Sequence, residues 1–178
     1  MEKPILNTLG RNLQNLRIAK GLSLSQLALE AGIAKSNLSR IEQGSGNPTI
    51  DTIWRLAKQL DVPFGSLVVS MAAPIDDDGV QVKLIEQGMD NPQVDAYWMS
   101  CAPNIEHRSD AHSNGTTETI TVITGHVETG VEGSSHCLSA GESVKFPADK
   151  PHMYKTGDLW TTLLVTITYA KREVQDGL

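Results

Sequence analysis

The chain has 178 residues, 39% of them hydrophobic and 20% charged, with a formal charge of −6. That length holds one large or two small domains, and the composition excludes disordered and collagen-like classes. No apolar run approaches the roughly 20 residues of a membrane helix, and the opening MEKPILNTLG has no apolar signal core, so the expected location is cytoplasmic, with no membrane partner. The charge is uneven: residues 1–72 carry eight Lys/Arg against five Asp/Glu, and residues 73–178 carry seven against sixteen. The mildly basic first part is suited to a polyanion and the acidic second part is not.

Taken in chain order, the first part reads as helices. Leu6, Leu9, Leu13 and Leu16 fall on one face, and Gly21 stops that helix. Ser23 and Gln26 form a capping box that opens a second helix through Leu27, Ala28 and Ala31 to Gly32. KSNLSRIEQG follows as a third helix with Leu38 and Ile41 inward. Thr49 caps a fourth carrying Ile50, Ile53, Trp54, Ala57 and Leu60, and FGSLVV adds a fifth turn. The stretch 70–79, SMAAPIDDDG, is punctuated like a surface linker between a 1–69 domain and an 80–178 domain.

From Val80 the text changes to β-branched and aromatic runs: VQVKLIEQ, QVDAYWMSC, ETITVITGHVET, ESVKFP and WTTLLVTITYA. So many short strands in about a hundred residues predict a sandwich or small barrel. The fold class expected is therefore α+β, with an all-α bundle followed by an all-β barrel. There is no internal repeat. Tyr97, Met99, Tyr154 and Trp160 are expected in the barrel lining or core. Cys101 and Cys137, far apart and outside any CxxC spacing, are expected as reduced, packed thiols. His126 and His136 carry no motif and are expected at the surface.

Residues 22–49 have the layout of a helix-turn-helix, two short helices about a glycine turn. Lys35, Ser36, Asn37, Ser39, Arg40 and Gln43 lie off the apolar face of the third helix. Their short polar and guanidinium groups suit base edges and phosphates. Ser23 and Ser25 at the start of the second helix are further candidate contacts to double-stranded DNA. The stretch 6–69 resembles the lambda-repressor-like, xenobiotic-response-element type of helix-turn-helix regulator. The matching features are LR at 16–17, KGLS at 20–23, AGIAKS at 31–36, LSRIEQG at 38–44 and NPT at 47–49. The resemblance implies that the helix beginning near Lys35 reads DNA, with Ser36, Asn37 and Arg40 foremost. Leu24 departs from a glutamine usual in the family, and Ala34 from a Ser/Thr cap. Glu42 is expected to pair with an arginine of the first helix, Arg17, because a carboxylate repels phosphate.

In ETITVITG, Glu118 shares a strand face with Ile120 and Val122. A buried carboxylate needs a cation, a donor or a metal. The segments around it resemble the two motifs of the cupin family. His112, Glu118 and Gly125 match the first, and Gly141, Pro147 and His152 match the second. Asp110 stands where the family has its first histidine, His107 is out of register, and Asp149 and Thr156 replace a glycine and an asparagine. The resemblance implies a ligand set of His112, Glu118 and His152, with Asp110, Tyr97 and Tyr154 as a further ligand or pocket wall. Two imidazoles and a carboxylate suit a divalent ion, zinc first, with iron, manganese or nickel as alternatives. A hydrogen-bonded pocket without metal remains the competing reading of the same residues.

Together these features predict a DNA-binding transcriptional regulator, homodimeric, whose barrel binds a small effector. An α-amino acid suits an open metal site, and the resemblance points to regulators of amino-acid, polyamine or sulfur metabolism. A metal-dependent enzyme such as a dioxygenase, and a barrel serving only dimerisation, are the alternatives. No further acid–base group stands in a recognisable catalytic position, so the chain is read as a non-enzyme.

Overall fold

A computed structural model describes residues 4–69 and 75–170. The chain divides into two compact units, Met1–Leu84 and Ile85–Leu178.

The first unit contains α1 Pro4–Ala19, α2 Leu24–Glu30, α3 Lys35–Glu42, α4 Ile50–Leu60 and α5 Phe64–Val68, the five helices the sequence predicts. The capping box forms as expected: Ser23 Oγ accepts from the Gln26 amide at 3.2 Å, and Gln26 Oε1 accepts from the Ser23 amide at 2.9 Å. Thr49 Oγ1 caps α4 by accepting from the Thr52 amide at 3.1 Å. Leu9, Leu13, Leu27, Leu38, Ile41, Ile53, Leu56, Leu60 and Leu67 form the buried core, while Leu6 and Leu16 are half-buried. Each fully buried side chain of this size contributes about 1.5–3 kcal/mol over its exposed state. Gly10 permits a close approach of α1 to α3. A Cβ there would lie 2.5 Å from the Ile41 carbonyl oxygen and 2.6 Å from that of Glu42.

The strands are β1 Ile75–Asp77, β2 Val80–Gln87, β3 Val94–Cys101, β4 Glu106–Ser109, β5 Thr117–Thr124, β6 His126–Val131, β7 Ser134–Ser139, β8 Ser143–Pro147, β9 His152–Thr156 and β10 Thr161–Thr168. They form a six-stranded sheet ordered β1-β2-β3-β10-β5-β8 and a four-stranded sheet ordered β4-β9-β6-β7. The β10 register pairs Ile167 with Asp95 on one side and Glu118 on the other. Inward alternation runs through Leu163, Val165 and Ile167 of β10, Ile120 and Val122 of β5, and Tyr97 and Met99 of β3. The run ETITVITGHVET, read as one strand, is two. Gly125 has φ +79°, and a Cβ on it would lie 2.6 Å from Thr161 Oγ1. The chain turns at this residue and passes from one sheet to the other.

The linker expectation for 70–79 needs correction where it is described; residues 70–74 lie outside the described residues. Ile75–Asp77 form β1, paired with Val80–Val82 through the two-residue turn Asp78–Gly79, both at positive φ. Ile75 is buried, and Asp77 Oδ2 accepts from the Ile50 amide at the start of α4 at 2.9 Å. The division between the two units falls inside β2.

Candidate functional site

Helix α3 turns Leu38 and Ile41 into the core and leaves Lys35, Ser36, Asn37, Arg40 and Gln43 exposed, with Ser39 half-exposed. Gln43 Nε2 donates to Ser39 Oγ at 3.3 Å. Ala34 precedes the helix without a side-chain cap, as its lack of a hydroxyl requires. Ser25 is exposed on α2, and Ser23 spends its hydroxyl as the α2 cap. Glu42 does pair with Arg17. Nε donates to Oε1 at 2.6 Å and Nη2 to Oε2 at 2.8 Å, while Nη1 donates to the Leu22 carbonyl at 2.9 Å. This fork fixes α3 against α1, and its two planar groups satisfy each other.

The second cluster lies between the two sheets of the barrel. Glu118 comes from β5 of the six-stranded sheet, His152 and Tyr154 from β9 of the four-stranded sheet, and His112 from the loop after β4. That loop is pinned: the His112 amide donates to the Ala148 carbonyl and the Ala148 amide to the Thr116 carbonyl, both at 2.9 Å. Glu118 Oε2 lies 3.2 Å from His152 Nε2 and 3.9 Å from His112 Nε2. The two rings meet edge to face with centroids 4.8 Å apart. One donor atom from each of His112, Glu118 and His152 falls within 4.8 Å of the others, and the three residues are 4%, 1% and 1% exposed. His152 Nδ1 lies 2.9 Å from the Lys150 carbonyl oxygen, an acceptor, which assigns a proton to Nδ1 and leaves Nε2 as the ring atom that faces Glu118. Burial pushes the Glu118 carboxyl up, but His152, His112 and the Tyr154 hydroxyl together outweigh it and hold the group below its ordinary value. Two imidazole nitrogens and one carboxylate oxygen converging in a buried site are a donor set that fits a divalent ion.

The remaining expected residues divide. Tyr154 joins the cluster by donating its hydroxyl to Glu118 Oε1. Asp110 is exposed and contributes no atom to the convergent group. Tyr97 is buried as expected but donates to Asp95 Oδ2 at 2.9 Å. Asp95, fully buried, also accepts from Tyr169 Oη at 3.1 Å and Gln93 Nε2 at 3.2 Å. Burial, Tyr169 and Asp95 all push the Tyr97 hydroxyl well above its ordinary value. Asp95 escaped the sequence reading, although its alternation with Tyr97 and Met99 marks it as inward-facing. His107, set aside as out of register, packs its ring 6.2 Å from that of Tyr154. Two packing expectations fail. Cys137 is exposed on β7, an edge strand, and Trp160 is 57% exposed in the turn before β10. Cys101 is buried, and His126 and His136 are exposed.

The helix-turn-helix family matches residues 13–67, and the cupin domain family matches residues 97–166. HTH-type transcriptional regulator SutR of Escherichia coli (strain K12) is 32% identical over 155 residues, covering 84% of this chain and 87% of its own length. HTH-type transcriptional regulator SinR of Bacillus subtilis (strain 168) is 41% identical over 61 residues, which is 34% of this chain and 55% of SinR. The crystal structure of an HTH_3 family transcriptional regulator from Vibrio cholerae superposes with a TM-score of 0.85 at 24% identity, covering 96% of this chain and 100% of that one, a likeness of fold. Among the described residues no helix is long and apolar enough to cross a membrane. The exposed polar face of α3 thus sits in a segment of known kind, and the chain belongs to the HTH-type transcriptional regulators, as one that carries a cupin domain.

Proposed function

We propose that the protein is an effector-responsive, cytoplasmic homodimer that reads an operator through residues 1–69 and senses a small molecule through residues 80–178. Ser36, Asn37 and Arg40 of α3 contact base edges, and Ser23, Ser25, Lys35, Ser39 and Gln43 contribute phosphate or peripheral contacts. His112, Glu118 and His152 hold a divalent ion, zinc before iron, manganese or nickel. A bound ion supplies Lewis-acid attraction for the donor atoms of an effector such as an α-amino acid or sulfur metabolite. The barrel is a sensor and not an enzyme. The effector regulates by binding one conformational or dimeric state better than the other.

The observation that carries this reading is the convergence of three buried metal-type donors in a chain whose α3 presents an exposed polar face. The test is operator selection from random DNA with the purified protein, followed by gel shifts and elemental analysis. Asn37→Ala and Arg40→Ala each weaken operator binding by about 1–3 kcal/mol and leave the circular dichroism spectrum unchanged. Unchanged affinity in both variants removes α3 as the reading helix. Protein that purifies and responds to its effector without metal makes the cluster a purely organic pocket.

A further inference from the structure

Tyr154 is buried on β9 with His107 as its register partner on one side and Thr129 on the other. Its ring also meets that of His152 edge on, with centroids 5.9 Å apart. These contacts fix where its hydroxyl points, and the hydroxyl donates to Glu118 Oε1. The other carboxylate oxygen, Oε2, is the one that faces both Nε2 atoms, at 3.2 and 3.9 Å. The two oxygens of Glu118 therefore have different partners: one has a phenol, the other the imidazole pair.

We propose that Tyr154 is a positioning residue that restricts Glu118 to a single-oxygen metal ligand and so keeps the remaining coordination positions open for the effector. The proposal rests on the metal reading above. A carboxylate free to turn can bind a cation through one oxygen or both. Binding through both would fill a position that a sensor needs for its ligand. Hydrogen bonding of Oε1 to a buried, ring-locked hydroxyl opposes that rotation. Tyr154 acts through its bond to the ligating residue, which separates its role from that of a fourth ligand.

Cobalt(II) is the probe, because its visible absorption reports coordination number and it occupies zinc-type sites. The full-length protein and Tyr154→Phe are each titrated with cobalt alone, and then with azide as a small anion that fills open positions. Phenylalanine keeps the ring packing and removes only the donor. The expected result is an absorption change in Tyr154→Phe toward a higher-coordinate, more weakly absorbing spectrum. A reduced azide response and an affinity for cobalt lower by about tenfold accompany it. A variant with the wild-type spectrum and azide response overturns the proposal even if its affinity falls, since lost affinity alone is what a merely structural role produces. Wild-type protein that takes up no cobalt overturns the metal reading and this proposal together. If Tyr154→Phe does not fold, the infrared difference between zinc-loaded and zinc-free wild type, with Glu118→Gln as the assignment control, carries the test. A widely split pair of carboxylate stretches marks one-oxygen binding and supports the proposal, and a narrowly split pair overturns it.

Discussion

Replacing Glu42 with alanine tests whether the orientation of α3 depends on its fork with Arg17. The guanidinium side chain is 12% exposed and the carboxylate 5%, so this is not a solvated surface pair of the kind that contributes about 0–1 kcal/mol. The change deletes two short charge-assisted bonds and leaves Arg17 with its bond to the Leu22 carbonyl. Breaking a buried pair by removing one partner costs about 3–5 kcal/mol. Arg17 retains a narrow path to water, which places the expected loss at about 2–4 kcal/mol. In a unit of this size that lowers the melting temperature by roughly 10–25 °C. Calorimetry and urea melts of Glu42→Ala, Arg17→Met and Arg17→Met/Glu42→Leu close a double-mutant cycle. The double variant recovers most of the loss, because two apolar side chains leave no stranded charge. A loss below about 0.5 kcal/mol in Glu42→Ala, or a double variant as unstable as the sum of the singles, refutes the reasoning.

His112→Ala/His152→Ala purifies without metal. At an ion concentration a hundredfold above the dissociation constant, it forgoes about 2.7 kcal/mol of stabilisation relative to wild type, read as a metal-dependent melting shift present only in wild type. In metal-free wild type the lowered Glu118 carboxyl contributes stability that is present above the ordinary carboxyl range and is lost as pH falls through the folded value. In the double variant burial is no longer outweighed by the imidazoles, so the folded carboxyl rises. Stability is then greatest below the ordinary range and declines as pH increases through the raised value, a reversal that urea melts across pH detect. Light scattering on the full chain at micromolar concentration gives a dimer mass, since two reading helices must span half-sites about 34–36 Å apart; a monomer counts against the homodimer. Iodoacetamide at neutral pH labels exposed Cys137 and spares Cys101, whose thiol burial pushes up to about 12. Peptide mass spectrometry finding equal labelling contradicts that burial.

Local signals made the helices readable. The Ser23–Gln26 box, the Thr49 cap and the leucine periodicity each act within one or two turns, so the sequence carries them directly. The barrel was readable in its β-branched and aromatic runs, the edge strand β8 included, while HMYKT of β9 went unread although it is paired on both sides. EHRS in β4 and SSHCLS in β7 form the edges of the four-stranded sheet and carry little apolar pattern, and what makes them strands is pairing with β9 and β6. The Asp78–Gly79 turn was a legible hairpin signal, obscured by the proline and aspartates around it. Glu118 stood out as an acid in phase with isoleucine and valine. Tyr154 follows His152 by two residues on one strand and was recognisable as a neighbour of the site. Its bond to Glu118 joins residues 36 positions apart and depends on the packing of two sheets, which no local pattern encodes. Asp110 is the converse case: its motif position suggested a ligand, and it is exposed and outside the convergent group.

The Asp77 carboxylate on the first amide of α4 bears on how such proteins are recombined. Asp77 belongs to the hairpin that begins the six-stranded sheet, yet it finishes a helix encoded some 27 residues earlier. A chimera joined inside 70–79, where the sequence invites a seam, takes that carboxylate from the donor of the barrel and the amide from the donor of the helices. One joined after Leu84 keeps the pair and splits β2 between two parents. Neither junction is neutral. Exchange of the cupin domain between regulators of this layout is therefore expected to succeed most readily between parents that both carry an acid at the position of Asp77, because the hairpin then travels with the helix start it completes.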